Sequence, residues 1–530
     1  MTKNIKISGL EVKKDYDNSQ KNMKLIYFII ILICYIPAYI TFFPLLFNYD
    51  APMQTYASAE KNSPLLHTFF LKTFYILGIK VFKSATIGMT LYIIFQAIVL
   101  IFIFSDTIDF IKRKTNNKVL EIISLIFFAI FPFNQIFTFS ATKDTLFAGF
   151  TIMSMMYLID IIDGTKIDSK SSILCALYIS LMLDFRLNAI YALIVLIPFI
   201  CIILFRNKKK MIEILSIVLV GVGIYFVTNA IYTNILNAKS IDTDAAKQTQ
   251  LIQMCASIAI ENENKLTKEE KSKIYQYYSC DIDELREIYK PNITDPIVTK
   301  FESKNAEDFN DFALSLAKKY PATAIKSILN TTRGYWFIND NSFNKINQDL
   351  SDNANQKYGC LEIYKTVVLS EKNEKLNEKL ENRYNKELYD VRYIQTSANL
   401  KENQVVNYYD FLPTLKRFYK RMFCENNYEK IPIISVIFQP SLYFYVTIAY
   451  LLFGIYRRQK EIIITGLYLF MYFGTCLLGP CAIVRYIYCI IVMTPIMISY
   501  FFTKNKENKT EKIKRKLNRK KKGDYDYYII

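Results

Sequence analysis

Residues 24–46 read KLIYFIIILICYIPAYITFFPLL, a single lysine followed by 22 residues without a charge. As a helix this segment is about 33 Å long, enough to cross a hydrocarbon layer of about 30 Å. Lys13, Lys14, Lys21 and Lys24 precede it. The block is too long for the core of a cleaved signal and ends in Phe42-Phe43-Pro44 rather than in small residues, so it reads as a retained span.

The same pattern recurs along the chain. Apolar blocks follow at about 85–104, 119–138, 144–162, 171–183, 189–205 and 212–232, and again at 432–455, 461–478 and 485–502. The block at 171–183 is the shortest. A short amphipathic piece near 65–82 reads as part of the loop after the first span. Unbroken apolar runs exclude a membrane barrel, whose strands alternate. The fold class expected is therefore an all-α integral membrane protein with about ten transmembrane helices.

Five regions are predicted: a cytoplasmic tail (1–23), a membrane domain of about seven helices (24–232), a large and mainly helical extracytoplasmic domain between helices 7 and 8 (233–431), three last helices (432–502) and a basic cytoplasmic tail (503–530). The chain of 530 residues is 52% hydrophobic, with 66 Lys and Arg against 48 Asp and Glu. The net charge of +18 does not imply nucleic acid, because the basic residues lie in short clusters between apolar blocks. Lys112, Arg113, Lys114 and Lys118 form one cluster, Arg206 and Lys208 to Lys210 a second, Arg457, Arg458 and Lys460 a third, and Lys504 to Lys522 a tail. Every second loop is basic, which predicts cytoplasmic N and C termini in a multi-pass protein of the cell membrane.

That orientation gathers the other span-end charges outside. Asp50, in the loop after span one, reads either as a solvated loop acid or helix cap, or as a general base near a lipid-linked substrate. Lys143 and Asp144 join two spans almost without a loop, and Asp144 reads equally well as a helix cap. Arg186 and Arg485 lie at span ends, where burying a charge costs about 2.5–3.5 kcal/mol on insertion scales. They either snorkel to the headgroups or, with Lys143, surround an anionic group such as a phosphate. His67, the single histidine, starts the amphipathic piece and is structural or substrate-binding. Tyr49 and Gln54 flank Asp50 as further binding candidates. In Thr332-Arg333-Gly334-Tyr335-Trp336, which ends a helical pattern at 306–331, Arg333 and Trp336 could stack on a sugar or seat the domain on the membrane.

Residues 416–423 read as a basic amphipathic helix on the outer surface. Cys255, Cys280, Cys360 and Cys424 form up to two disulfides or stay free. No CxxC, P-loop, Rossmann glycine pattern, HExxH or GxSxG occurs. No metal site or cofactor is expected, and a need for a divalent cation is left open.

Tyr49-Asp50-Ala51, Pro64-Leu65-Leu66-His67-Thr68, Thr142-Lys143-Asp144, and Gly479-Pro480 with Arg485-Tyr486 and Pro495 together resemble the GT-C class of membrane glycosyltransferases. The likeness is nearest to a little-characterised bacterial family within or near that class, and it covers most of the chain in layout. It implies a sugar donor on a polyprenyl phosphate, an acidic first-loop residue (Asp50) as catalytic base and Asp144 as a second catalytic acid. Where a further histidine is expected before the Pro-Leu-Leu-His run, this chain has Asn62-Ser63.

The expected function is inverting sugar transfer at the outer membrane face to a cell-envelope glycan, lipid or protein. Lys143, Arg186 and Arg485 would steady the leaving phosphate. Membrane lipids are the remaining partners, and no nucleic acid is expected. The rival reading is a non-catalytic flippase or transporter of a lipid-linked saccharide, although no internal repeat supports it. A scaffold is third.

Overall fold

The computed structural model describes residues 2–47, 50–56, 64–165, 168–234, 248–302, 308–338, 365–384, 391–396, 399–424 and 427–503. Helices dominate it. They begin with α1 (Thr2–Phe42), α2 (Ala51–Tyr56), α3 (Leu65–Phe82), α4 (Ala85–Thr115), α5 (Lys118–Ile130), α6 (Pro132–Thr138), α7 (Lys143–Ile162), α8 (Ser169–Phe185), α9 (Ala189–Leu204) and α10 (Lys208–Asn234). Among the described residues, six helices are long and apolar enough to cross a membrane: Asn22–Phe42, Leu65–Phe82, Ala85–Thr115, Lys143–Ile162, Lys208–Asn234 and Val484–Phe501. The protein is thus a helical, multi-pass membrane protein.

Several boundaries differ from expectation for local reasons. The third block is two helices bent by 49°, because Pro132 has no amide hydrogen to continue α5 and holds Phe131 extended. Residues 65–82 are not a short amphipathic piece but an 18-residue helix, apolar on nearly every side. It folds back on the first third of α4: Gly78 meets Gly88, Phe74 meets Tyr92, and Phe70 meets Phe95. A left-handed Lys83 (φ 56°) and the Ser84 cap turn the chain between them.

The polar middle segment begins with α11 (Thr249–Glu261), α12 (Lys268–Tyr278), α13 (Ile282–Ile288), α14 (Asp295–Val298), α15 (Phe309–Lys319) and α16 (Pro321–Trp336). The continuous pattern read over 306–331 is interrupted at Tyr320, and Pro321 opens the second helix. α11 to α16 share an apolar core of their own, built on Ile252, Ile258, Tyr277, Tyr278, Leu285 and Phe309. β1 (Lys365–Ser370) and β2 (Val391–Thr396) pair in parallel around α17 (Glu374–Tyr384). This is a small sheet that the all-helical expectation lacked.

α18 (Pro413–Tyr419) and the turn after it do not lie free on a surface. Lys416 is buried, 3.6 Å from Asp410, and Tyr419 and Phe423 pack against Phe42, Phe133 and Phe438. The block at 432–455 breaks at Phe438 and the extended Gln439, where Pro440 opens a new helix, into α19 (Ile434–Ile437), preceded by Ile433 at φ 69°, and α20 (Pro440–Arg457). α21 (Lys460–Cys476) and α22 (Tyr488–Phe501) complete the bundle, and a 3₁₀ turn at Val484–Ile487 leads into α22. Cys255 and Cys280 are free thiols, while Cys360 and the Cys424 side chain lie outside the described residues.

Charges occupy both ends of the bundle, not one. The basic residues assigned to orientation meet acids from neighbouring helices. Lys24 reaches Asp106 (2.5 Å), Arg113 reaches Asp160 (3.2 Å), Lys114 reaches Asp163 (2.7 Å) and Lys118 reaches Glu121 (2.6 Å). These acids sit on apolar blocks, where single carboxylates gave no pattern to read. Asp144 and Asp160 lie near opposite ends of α7, about 24 Å apart along a helix rising 1.5 Å per residue. That is close to the thickness of a bilayer core.

Candidate functional site

A short backbone splice builds the site at the Asp144 end. The segment after α1 runs beside the α6–α7 connection, with Leu46 N–H donating to Phe139 O (2.8 Å) and Ala141 N–H to Leu46 O (3.0 Å). Gln96, wholly buried in α4, fixes the same connection by donating from Nε2 to Thr138 O (2.9 Å) and Ser140 O (2.8 Å). Asp50, four residues beyond Leu46, is thereby set beside Lys143 at the start of α7, with Nζ to Oδ2 at 3.2 Å.

The Asp50 side chain is 51% exposed and that of Lys143 25%. Crowding by the surrounding loops raises the carboxyl's affinity for a proton. The Lys143 ammonium, then Arg485, outweigh this and hold the Asp50 carboxyl well below its ordinary value of 3.8. Asp50 therefore stands ionised. With Gln54, His67, Thr142 and Arg485 these residues line a narrow cleft.

Behind the cleft lies a second, buried cluster. Arg186, which caps α8, pairs with Asp144 Oδ1, and Arg485 Nη1 lies 3.9 Å from Asp144 Oδ2. Both guanidiniums face the Tyr486 ring, at 4.5 and 5.1 Å from its centroid. Asp144 is 1% exposed. Its setting is that of an anchor for two arginines, not of an open catalytic acid. Three cations against two carboxylates leave the assembly with one excess positive charge.

His67 is 1% exposed, and its Nδ1 lies 2.8 Å from Gln54 Oε1. Its Nε2 finds no hydrogen-bond partner among the described residues. A buried acceptor left so costs about 1–3 kcal/mol unless a ligand or water meets it. Arg333 and Trp336 do not line the cleft: Arg333 covers Phe337, and Trp336 donates to Thr332 (3.2 Å). Tyr49 lies outside the described residues. Asp184, two residues before Arg186, turns away to accept from Thr228 (2.9 Å). No group of three or more metal-ligating side chains occurs among the described residues.

The sequence reading overlooked what holds Arg485. Tyr335, unlike its neighbours Arg333 and Trp336, is buried, and its hydroxyl accepts from Ile483 N–H (3.1 Å). Gln250 donates to Gly479 O (2.6 Å), and Thr294 N–H to Pro480 O (2.9 Å). The α11–α16 unit thus grips the loop that delivers Arg485. Gln96 was legible in principle as one polar residue inside an apolar block. Tyr335 carried no such signal among 40 tyrosines.

Fold and site together define a multi-pass helical membrane protein with an ion-paired cleft near one end of its bundle. The chain belongs to DUF6020, a family of unknown function whose pattern matches residues 49–515 and so takes in every site residue from Asp50 to Arg485. No curated protein and no solved structure matches the chain.

Proposed function

We propose that this protein is a membrane glycosyltransferase that moves a sugar from a polyprenyl-phosphate carrier to an acceptor at the outer face of the membrane, with inversion. The observation that carries the reading is the Asp50–Lys143 pair at 3.2 Å, part-exposed in a cleft that Arg485 also lines. An ionised carboxylate and phosphate-binding cations share one small space close to a bilayer surface. The acceptor hydroxyl attacks the anomeric carbon, its proton passes to Asp50, and the bond from that carbon to the phosphate oxygen breaks. Lys143 and Arg485 take up the charge that develops on the polyprenyl phosphate. Arg186 and Asp144 fix Arg485 from behind. The excess of one positive charge suits a phosphodiester carrying a single negative charge.

In this reading the chain crosses the membrane about ten times with both termini in the cytoplasm. The segment 233–431 lies outside and shapes the acceptor site, and the acceptor is a cell-envelope glycan, lipid or protein. Neither a nucleotide nor a resident cofactor takes part.

Purified protein in lipid nanodiscs, given a polyprenyl-phosphate donor with a labelled sugar, should release unlabelled lipid phosphate and label an acceptor glycan. Movement of intact labelled lipid between leaflets of proteoliposomes, without cleavage of the sugar–phosphate bond, would instead favour a flippase and overturn the proposal.

A further inference from the structure

The cleft holds one group that proton removal and phosphate binding leave unused. His67 Nδ1 faces Gln54 Oε1 at 2.8 Å, and since two acceptors do not bond, Nδ1 carries the hydrogen. The lone pair of the neutral ring is then on Nε2, which is buried and has no hydrogen-bond partner among the described residues. The ring is wedged edge-on against Tyr92 and Phe185, at centroid distances of 6.2 and 6.0 Å, so it is not free to swing to another partner.

A lone pair repels phosphate oxygens, so of the substrate-binding roles open to His67 the phosphate is not the one. A metal ion is also disfavoured, because Lys143 and Arg485 line the same cleft and Lys143 already occupies the cation position on Asp50. What suits a buried, unmet imidazole acceptor at the cleft wall is an O–H donor. The transferred sugar has to lie against the base and the cations that hold its phosphate, at the cleft that His67 helps to line.

We propose that His67 Nε2 accepts a hydrogen bond from one hydroxyl of the transferred sugar, with Gln54 fixing the tautomer, and that it thereby selects which sugar is moved. This rests on the transferase reading. Asp50 takes the proton that leaves; His67 takes none.

The test uses full-length protein with polyprenyl-phosphate-linked glucose, mannose and arabinose, each compared with its monodeoxy analogues. In the wild type one deoxy position should lower kcat/KM by about 10²-fold or more, as sites built around a hydroxyl reject analogues without it. In His67→Ala that penalty should shrink to within about threefold, since nothing is left unpaired. His67→Gln, whose amide oxygen reaches nearly to the Nε2 position, should restore most of it. Equal deoxy penalties in wild type and His67→Ala would overturn the proposal, including the case in which His67→Ala merely lowers stability.

If the wild type transfers none of these sugars, the transferase reading fails separately. The same comparison is then read from thermal stabilisation of the purified protein by each lipid. Loss of discrimination against one deoxy sugar in His67→Ala upholds the role of His67, and unchanged discrimination overturns it.

Discussion

Asp50→Asn separates catalysis from architecture: the structure gives Asp50 a small share of stability, and the proposed reaction gives it the whole of the proton transfer. Its partner Lys143 lies at 3.2 Å, but the two side chains are 51% and 25% exposed. An ion pair so open to solvent contributes about 0–1 kcal/mol. Asparagine keeps the size and one oxygen of the side chain, and Asp50 precedes α2 in a loop rather than packing between spans. Expression and detergent-solubilised melting temperature should therefore stay close to wild type.

Transfer should fall by roughly two to four orders of magnitude, the contribution of a positioned general base. At 1.36 kcal/mol per decade that is about 2.7–5.4 kcal/mol of barrier, several times the stability effect. The assay is initial-rate transfer of labelled sugar from the lipid donor, with donor binding measured in parallel. A variant that binds donor normally but turns over slowly fits the reasoning. Retention of more than about a tenth of the wild-type rate, well short of the loss expected for a general base, refutes it.

The pH profile tests the electrostatics of the same pair. The depressed Asp50 carboxyl keeps its basic form present throughout neutrality and loses it only as pH falls below the ordinary 3.8, so wild-type kcat/KM should show no acid limb above that value from this group. Lys143→Gln removes the chief stabiliser of the ionised form and should shift the acid limb upward; an unmoved limb would count against the coupling. For the buried pair, Arg186→Gln leaves Asp144 with Arg485 alone at 3.9 Å and should cost up to about 3 kcal/mol, and the double variant with Asp144→Asn should recover part of that loss in thermal unfolding. Gly88→Ala should destabilise by about 1–3 kcal/mol, since a Cβ there would sit 2.3 Å from Phe74 O and force α3 off α4; an unchanged melting temperature would contradict that packing.

Lipid-facing helices are legible one at a time, because a span has to satisfy its own backbone and show apolar side chains outward. The runs beginning at about residues 24, 85, 144 and 212 therefore announced helices that the structure contains, with ends shifted by caps such as Ser84 and Asn116. The charged span ends were legible for the same reason: Arg186 and Arg485 are expensive in an apolar run and so stand out. Which charge meets which was not. Lys143 turns to Asp50 and Arg186 to Asp144, pairs 93 and 42 positions apart, chosen by how α7 and α8 pack and by the splice of Leu46 onto Phe139. The acids at the far end, Asp106, Asp109, Glu121, Asp160 and Asp163, were likewise invisible as partners of the basic clusters. Periodicity and composition record only what a residue's own helix requires. Tyr335, Gln96 and the unmet lone pair of His67 gain their meaning from contacts across the sequence, and those exist only once the helices have assembled.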